Sequence, residues 1–237
     1  MSDRHSLLDT IADSMAPVHR DGHKFIAIGL IATLVLFFVW PPIGWIAALF
    51  TAWVIYFFRD PDRVTPLRDG LIIAPADGKV SLIEKVRPPS EIGLGDEERI
   101  RVSIFLSVFD VHIQRAPIAG RIIRSLYMPG AFLNAALDKA SEENERRTIV
   151  IESASGVKVG VVQIAGLVAR RILTLAAEGD TLGVGERFGL IRFGSRVDTY
   201  LPVGAFPAVA VGQRAVGGET VLSDLKSTEP EREARRH

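Results

Sequence analysis

Along this chain the spacing of apolar positions changes character at residue 59. From Phe25 to Phe58 there is no charged residue, and Pro41-Pro42 divides the stretch into apolar runs at 25–40 and 43–58. Each run is a little shorter than the roughly 20 residues that cross a bilayer comfortably. The pattern predicts a tight helical hairpin dipping into a membrane, with Trp40 and Trp45 bracketing its turn as interfacial anchors. Arg20 and Lys24 precede the hairpin and Arg59 and Arg63 follow it, so the positive-inside bias puts both ends on the cytoplasmic side. A pair of buried core helices is the alternative. Residues 1–24 mix charged and apolar positions and read as an N-terminal arm.

After the charged linker Arg59-Asp60-Pro61-Asp62-Arg63, apolar residues begin to alternate as in strands. Leu71-Ile72-Ile73-Ala74 runs into the turn signature Pro75-Ala76-Asp77-Gly78, and Lys79 to Ile83 resumes a strand. Arg101 to Ile113 is expected as one strand, with Val102, Ile104, Leu106, Val108, Asp110 and His112 on the same face. A carboxylate and an imidazole on an apolar face need a partner or a purpose. Ala131 to Arg147 is expected as one helix with a polar end. Thr148–Glu152 and Val157–Ile164 read as a hairpin turned at Ser155-Gly156, and short strands continue after Gly166. Residues 226–237 are charged, contain Pro230, and read as a disordered tail. The expected fold is mainly β with α: a compact antiparallel β domain over 59–225 with lipoyl-like barrel character, preceded by the helical hairpin at 25–58.

Composition narrows the chemistry. The 237 residues carry 28 basic and 28 acidic side chains, so no global charge points to nucleic acid. The absence of Cys excludes disulfides, thiolate metal sites and a Cys nucleophile, and no metal is expected. Of five His, only His112 lies well inside the folded region.

One dipeptide stands out by its context. The strand-like run Gly189-Leu190-Ile191-Arg192-Phe193 leads straight into Gly194-Ser195. A Gly-Ser pair is in most settings a turn signal. Here glycine leaves its carbonyl open to the next hydroxyl, so an N-to-O acyl shift could turn the amide into an ester. Elimination would then cut the chain and leave a pyruvoyl group at residue 195. A serine hydroxyl needs a base for this; His112 is the candidate, with Asp77 or Asp110 to orient it.

The stretches Phe58-Arg59-Asp60-Pro61, Ala74-Pro75-Ala76-Asp77-Gly78, Val108-Phe109-Asp110-Val111-His112 with Arg115-Ala116-Pro117, Asn144-Glu145-Arg146, Gln163-Ile164-Ala165-Gly166, Ala169-Arg170-Arg171-Ile172 and Ile191 to Ser195, in this order, resemble phosphatidylserine decarboxylases of the short bacterial kind. The resemblance implies decarboxylation of phosphatidylserine to phosphatidylethanolamine and CO2 through a Schiff base on a self-made pyruvoyl cofactor. It implies cleavage between Gly194 and Ser195 into chains 1–194 and 195–237 that stay associated, with Ser195, His112 and Asp77 as the catalytic set. Of the two carboxylates, the family favours Asp77. Arg115, Arg170 and Arg171 are candidates for the lipid phosphate, although solvated surface arginines are the alternative. The longer bacterial members carry a second His where Arg115 stands, which leaves the base role to His112 alone. A homodimer is left open, and the expected location is the bacterial inner membrane with the catalytic domain on the cytoplasmic side. The rival readings are a pyruvoyl decarboxylase of a soluble amino acid derivative and a non-catalytic, membrane-tethered β module.

Overall fold

The computed structural model describes residues 16–130, 143–166, 171–192 and 194–229. The chain divides into two units, residues 1–62 and 63–237.

In the first unit, helix α1 (His23–Val39) and helix α2 (Pro41–Phe57) form the expected hairpin. Trp40 between them is extended, and Pro41 opens α2 at a position where its missing N–H costs nothing. Small and hydroxylated residues let the helices approach closely. A Cβ on Gly44 would lie 2.5 Å from the Phe37 ring, and one on Gly29 would lie 2.7 Å from Thr51 Oγ1. Thr33 and Thr51 share a hydrogen bond of 3.2 Å at this contact. Large apolar side chains point the other way: Ile31, Leu34, Phe38, Ile46, Leu49 and Phe50 are all exposed. A 3₁₀ turn at Arg20–Gly22 runs into α1, and Arg20–Val39 is long and apolar enough to cross a membrane. The expected helix over 25–40 therefore starts earlier, on a charged turn.

The second unit is built from thirteen strands among its described residues, all paired antiparallel. These are β1 (Leu71–Ile73), β2 (Gly78–Val86), β3 (Arg99–Leu106), β4 (Ile113–Arg115), β5 (Gly120–Met128), β6 (Arg146–Glu152), β7 (Lys158–Ala165), β8 (Ile172–Thr174), β9 (Thr181–Leu182), β10 (Arg187–Ile191), β11 (Ser195–Tyr200), β12 (Arg214–Ala215) and β13 (Val221–Asp224). An eight-stranded sheet has the order β12-β2-β3-β11-β7-β6-β5-β9, beside the small sheets β4-β10-β8 and β1-β13. With the α1–α2 hairpin, the fold is mainly β with α, as the alternation predicts.

Strand β11 is central and covered on both faces. Val197 joins Ile104, Leu106, Val161 and Ile149 in the main core. Tyr200 joins a smaller cluster with Val162, Ile164 and Val150 on the opposite face, which the 3₁₀ turn Ser90–Ile92 covers through Ile92. Asp198 stays buried there because Arg196 holds it at 2.9 Å.

Two expectations change. The strand expected over 101–113 breaks after Leu106, because Asp110 folds back to accept the Ser107 N–H at 2.8 Å and closes a turn. His112 therefore follows a loop and enters from the edge of a second sheet. Residues 131–142 of the expected helix lie outside the described residues, whereas Arg146 and Arg147, assigned to its polar end, belong to β6. Pairing across the sheet overrides their helical propensity, since Arg146 faces Ile164 and Arg147 faces Gln163 in the ladder. The segments flanking Pro75–Gly78 are strands, but β1 pairs with β13 and β2 with β3, so they do not pair with each other. The Ser155-Gly156 hairpin between β6 and β7 forms as expected, with Gly156 at φ 80°.

Candidate active site

Ser195 is the first residue of β11, paired on one side with Leu106 and on the other with Ala165. Its side chain is fully buried, and its Oγ has no hydrogen-bond partner among the described residues. A buried hydroxyl left this way costs about 1–3 kcal/mol, a cost that, among the described residues, Ser103 Oγ and Thr199 Oγ1 share with Ser195. Gly194 before it adopts φ 70°, the left-handed region, with open space where a Cβ would stand. Backbone conformation rather than crowding therefore asks for glycine; another residue would be strained by about 1–2 kcal/mol.

His112 meets this bond from the neighbouring sheet. The Gly194 N–H donates to His112 Nε2 at 3.2 Å, and Nδ1 lies 2.9 Å from the Asp110 carbonyl oxygen. An amide N–H can only donate, so Nε2 presents its lone pair and the ring proton sits on Nδ1, shared with Asp110 O. A neutral, fully buried imidazole thus turns its basic nitrogen toward the residue preceding Ser195.

Two buried glutamines fix the loop behind it. Gln114 donates from Nε2 to the His112 carbonyl at 2.8 Å, and its Oε1 accepts from Gln163 Nε2 at 2.8 Å. Gly189 makes room for this bridge between sheets, since a Cβ there would meet Gln163 Nε2 at 2.7 Å. Sequence reasoning gave neither glutamine a role. Gln114, two residues from His112 on a short strand, was the legible signal.

Asp77 is partly buried in the turn just before β2. Its Oδ2 accepts from Arg63 at 2.8 Å and its Oδ1 from the Gly217 N–H at 2.8 Å. Burial pushes its carboxyl above the ordinary value, against the opposing pull of Arg63 and the Gly217 N–H. Asp110, the other carboxylate weighed for the imidazole, offers its main-chain oxygen; its side chain holds Ser107 and Arg214. Burial raises Asp110 too, but hydrogen bonds from Ser107 and Arg214 outweigh it and hold the carboxyl below its ordinary range. Arg115 is buried on β4 and donates to the Gly185 carbonyl at 3.1 Å, so it is not a solvated arginine. Arg171 is exposed, and its carbonyl accepts the Arg192 N–H at 3.4 Å. Arg170 and Phe193 lie outside the described residues.

A family model described as phosphatidylserine decarboxylase matches residues 50–223. This chain belongs to that family. A relative from Cereibacter sphaeroides, named phosphatidylserine decarboxylase proenzyme, is 57% identical over 225 residues, covering 95% of this chain and 97% of its own. The stretch matched by the family model contains Asp77, His112, Arg115, Gly194 and Ser195, and begins within α2. Family membership and a Gly194-Ser195 bond with a buried Ser195 beside a neutral imidazole thus meet at one place in the fold.

Proposed function

We propose that this chain is a self-processing, membrane-bound enzyme that decarboxylates phosphatidylserine to phosphatidylethanolamine and CO2, using a pyruvoyl group made from Ser195. The observation that carries the reading is His112 Nε2 facing Gly194 beside a buried, unpartnered Ser195 Oγ. In cleavage, Ser195 Oγ attacks the Gly194 carbonyl carbon and gives its proton to His112. The Gly194–Ser195 C–N bond breaks as the nitrogen takes that proton back, leaving an ester and a free amine. Loss of the Ser195 Cα proton then expels the Gly194 carboxylate, and hydrolysis releases ammonia. Asp77, held by Arg63 and the Gly217 N–H and within electrostatic reach of Asp110, whose carbonyl oxygen holds the ring, is assigned the supporting negative charge as the imidazole becomes cationic.

The site suits the group that results. Residue 195 is gripped between β3 and β7, and among the described residues nothing beyond its chain neighbours lies within 4 Å of where a Cβ on Gly194 would stand. When formed, the pyruvoyl carbonyl supplies the electron sink for loss of the carboxylate from an amine-bearing substrate. His112 can then hold or return a proton at Nε2, and the sheet excludes water. We assign Arg171, with Arg170, to the lipid phosphate; buried Arg115 serves as a support for the loop at Gly185.

Chains 1–194 and 195–237 remain together in this reading because β11, β12 and β13 of the smaller one pair with β3, β7, β2 and β1 of the larger. The outward apolar side chains of α1 and α2 suit residues 25–58 to a bilayer, and a diacyl substrate stays there because each CH₂ costs about 0.8 kcal/mol to move into water. By the arginine bias the β unit lies on the cytoplasmic side.

The intact mass of purified protein beside Ser195→Ala tests this reading. Two chains meeting at 194/195, the smaller lighter by the mass of one ammonia, are expected, with a single chain for the variant. A single uncut wild-type chain would refute the self-made cofactor.

A further inference from the structure

The scissile carbonyl already has a hydrogen-bond donor, delivered by sheet register. Ser195 pairs with Ala165 across β11 and β7, and one step beyond that pair the Gly166 N–H donates to the Gly194 oxygen at 3.1 Å. This oxygen takes the negative charge when Ser195 Oγ adds to the Gly194 carbon. A backbone N–H held at about 2.7–3.1 Å from a developing oxyanion is the arrangement that stabilises acyl transfer.

The orientation of that N–H is set by one buried side chain. The Ala165–Gly166 peptide is planar, so fixing the Ala165 carbonyl also fixes the Gly166 N–H pointing the opposite way. Asn144, fully buried, donates from Nδ2 to the Ala165 oxygen at 2.7 Å. The Ala165 N–H, on the other side, donates to the Glu145 carbonyl at 2.9 Å. The pair Asn144-Glu145 thus clamps Ala165 from both of its backbone groups, and the amide that follows it is aimed at Gly194.

We propose that the Gly166 N–H is the oxyanion donor of self-cleavage and that Asn144 is its positioning residue. In the step itself the Ser195 Oγ–C bond forms, the carbonyl π pair moves onto the Gly194 oxygen against the Gly166 N–H, and the hydroxyl proton goes to His112 Nε2. Collapse returns the pair to re-form the carbonyl, breaks the C–N bond and sends the proton from His112 to the Ser195 nitrogen. The inference rests on the self-processing reading above.

The test follows cleavage of freshly made protein by intact mass, for wild type, Asn144→Ala and Asn144→Asp, with and without hydroxylamine, which cuts an accumulated ester. Misplacing an oxyanion donor slows the acyl shift, so cleavage is expected to fall at least roughly tenfold in both variants. Hydroxylamine should not rescue either, because the ester never accumulates. For Asn144→Asp, the rate relative to wild type should rise as pH falls through the carboxyl range, since a protonated Asp can again donate to Ala165 O. Cleavage of Asn144→Ala at the wild-type rate would overturn the inference, and so would hydroxylamine release of the smaller chain, which places the defect after the acyl shift. Should Asn144→Ala fail to fold, the pH dependence of Asn144→Asp decides alone, and a flat ratio overturns the proposal. Wild-type protein that never cleaves would instead sink the functional reading on which the inference stands.

Discussion

The N–H of Gly194 is a hydrogen-bond donor to Nε2 of His112, at 3.2 Å. This contact places the only basic nitrogen of a neutral ring next to the Gly194-Ser195 bond, and it ties the site to two sheets. His112→Ala is expected to slow cleavage by at least roughly 100-fold, the contribution of a positioned general base. Asp77→Asn should slow it less, because the hydrogen bonds of Asp77 run to Arg63 and Gly217. Time courses of the two chains on denaturing gels measure both; equal rates for wild type and His112→Ala would remove the base role.

Gln114→Met keeps the volume of a fully buried side chain and removes its amide. The His112 carbonyl keeps the Ile191 N–H at 3.2 Å but loses its second donor, and Gln163 Nε2 loses its acceptor, a change worth about 1–3 kcal/mol for the buried group left alone. A lower melting temperature together with slower cleavage is expected. Slower unfolding or unchanged cleavage would show that the His112 loop is held by other contacts.

Asp198 and Arg196 fall on the smaller chain after cleavage, and Arg101, which lies 3.8 Å from Asp198, on the larger. Removing one member of a buried charge group costs about 3–5 kcal/mol. Asp198→Asn should therefore let the processed chains separate at lower urea, read by size-exclusion chromatography. The same change in the uncut Ser195→Ala protein should shift its midpoint less, because the two segments stay covalently joined.

The depressed carboxyl of Asp110 makes a signed prediction in acid. A carboxylate whose folded pKa lies below its ordinary 3.8 adds stability above that value and loses it as pH falls through the folded pKa. The melting temperature of Asp110→Asn should accordingly fall below that of wild type at neutral pH, and the two should converge in strong acid. A gap that persists there would mean that Asp110 acts through shape rather than charge.

Residues 63–237 form a unit separate from the helices. A chain starting at residue 63 should appear in the soluble fraction, still cut itself at Ser195, and lose most turnover of phosphatidylserine presented in bilayers. Retention in the membrane fraction would mean that the β unit carries an anchor of its own.

Local signals made much of this protein readable in advance. A run of 34 residues without charge, broken by Pro41-Pro42, can form little except two apolar helices, and Thr148 to Ile164 carries its own turn at Gly156. Family likeness pointed at Ser195 and His112 because the stretches around them are contiguous in the chain. Other features had no such signature. Asp110 shares strand parity with Leu106, yet its carboxylate satisfies the Ser107 N–H and ends the strand, a competition that periodicity does not register.

Sequence alone determined the hairpin, the β-rich body and the Gly194-Ser195 bond, because each rests on residues adjacent in the chain whose backbone or transfer preferences act locally. Tertiary structure decided which groups meet that bond. His112 and Gly194, 82 residues apart, meet through two sheets, the Gln114–Gln163 bridge joins residues 49 apart within that span, and Gly166 reaches the Gly194 oxygen only because β7 and β11 pair in one register. Register is a property of paired strands, where a slip of one residue turns every side chain to the other face, and no single strand contains it.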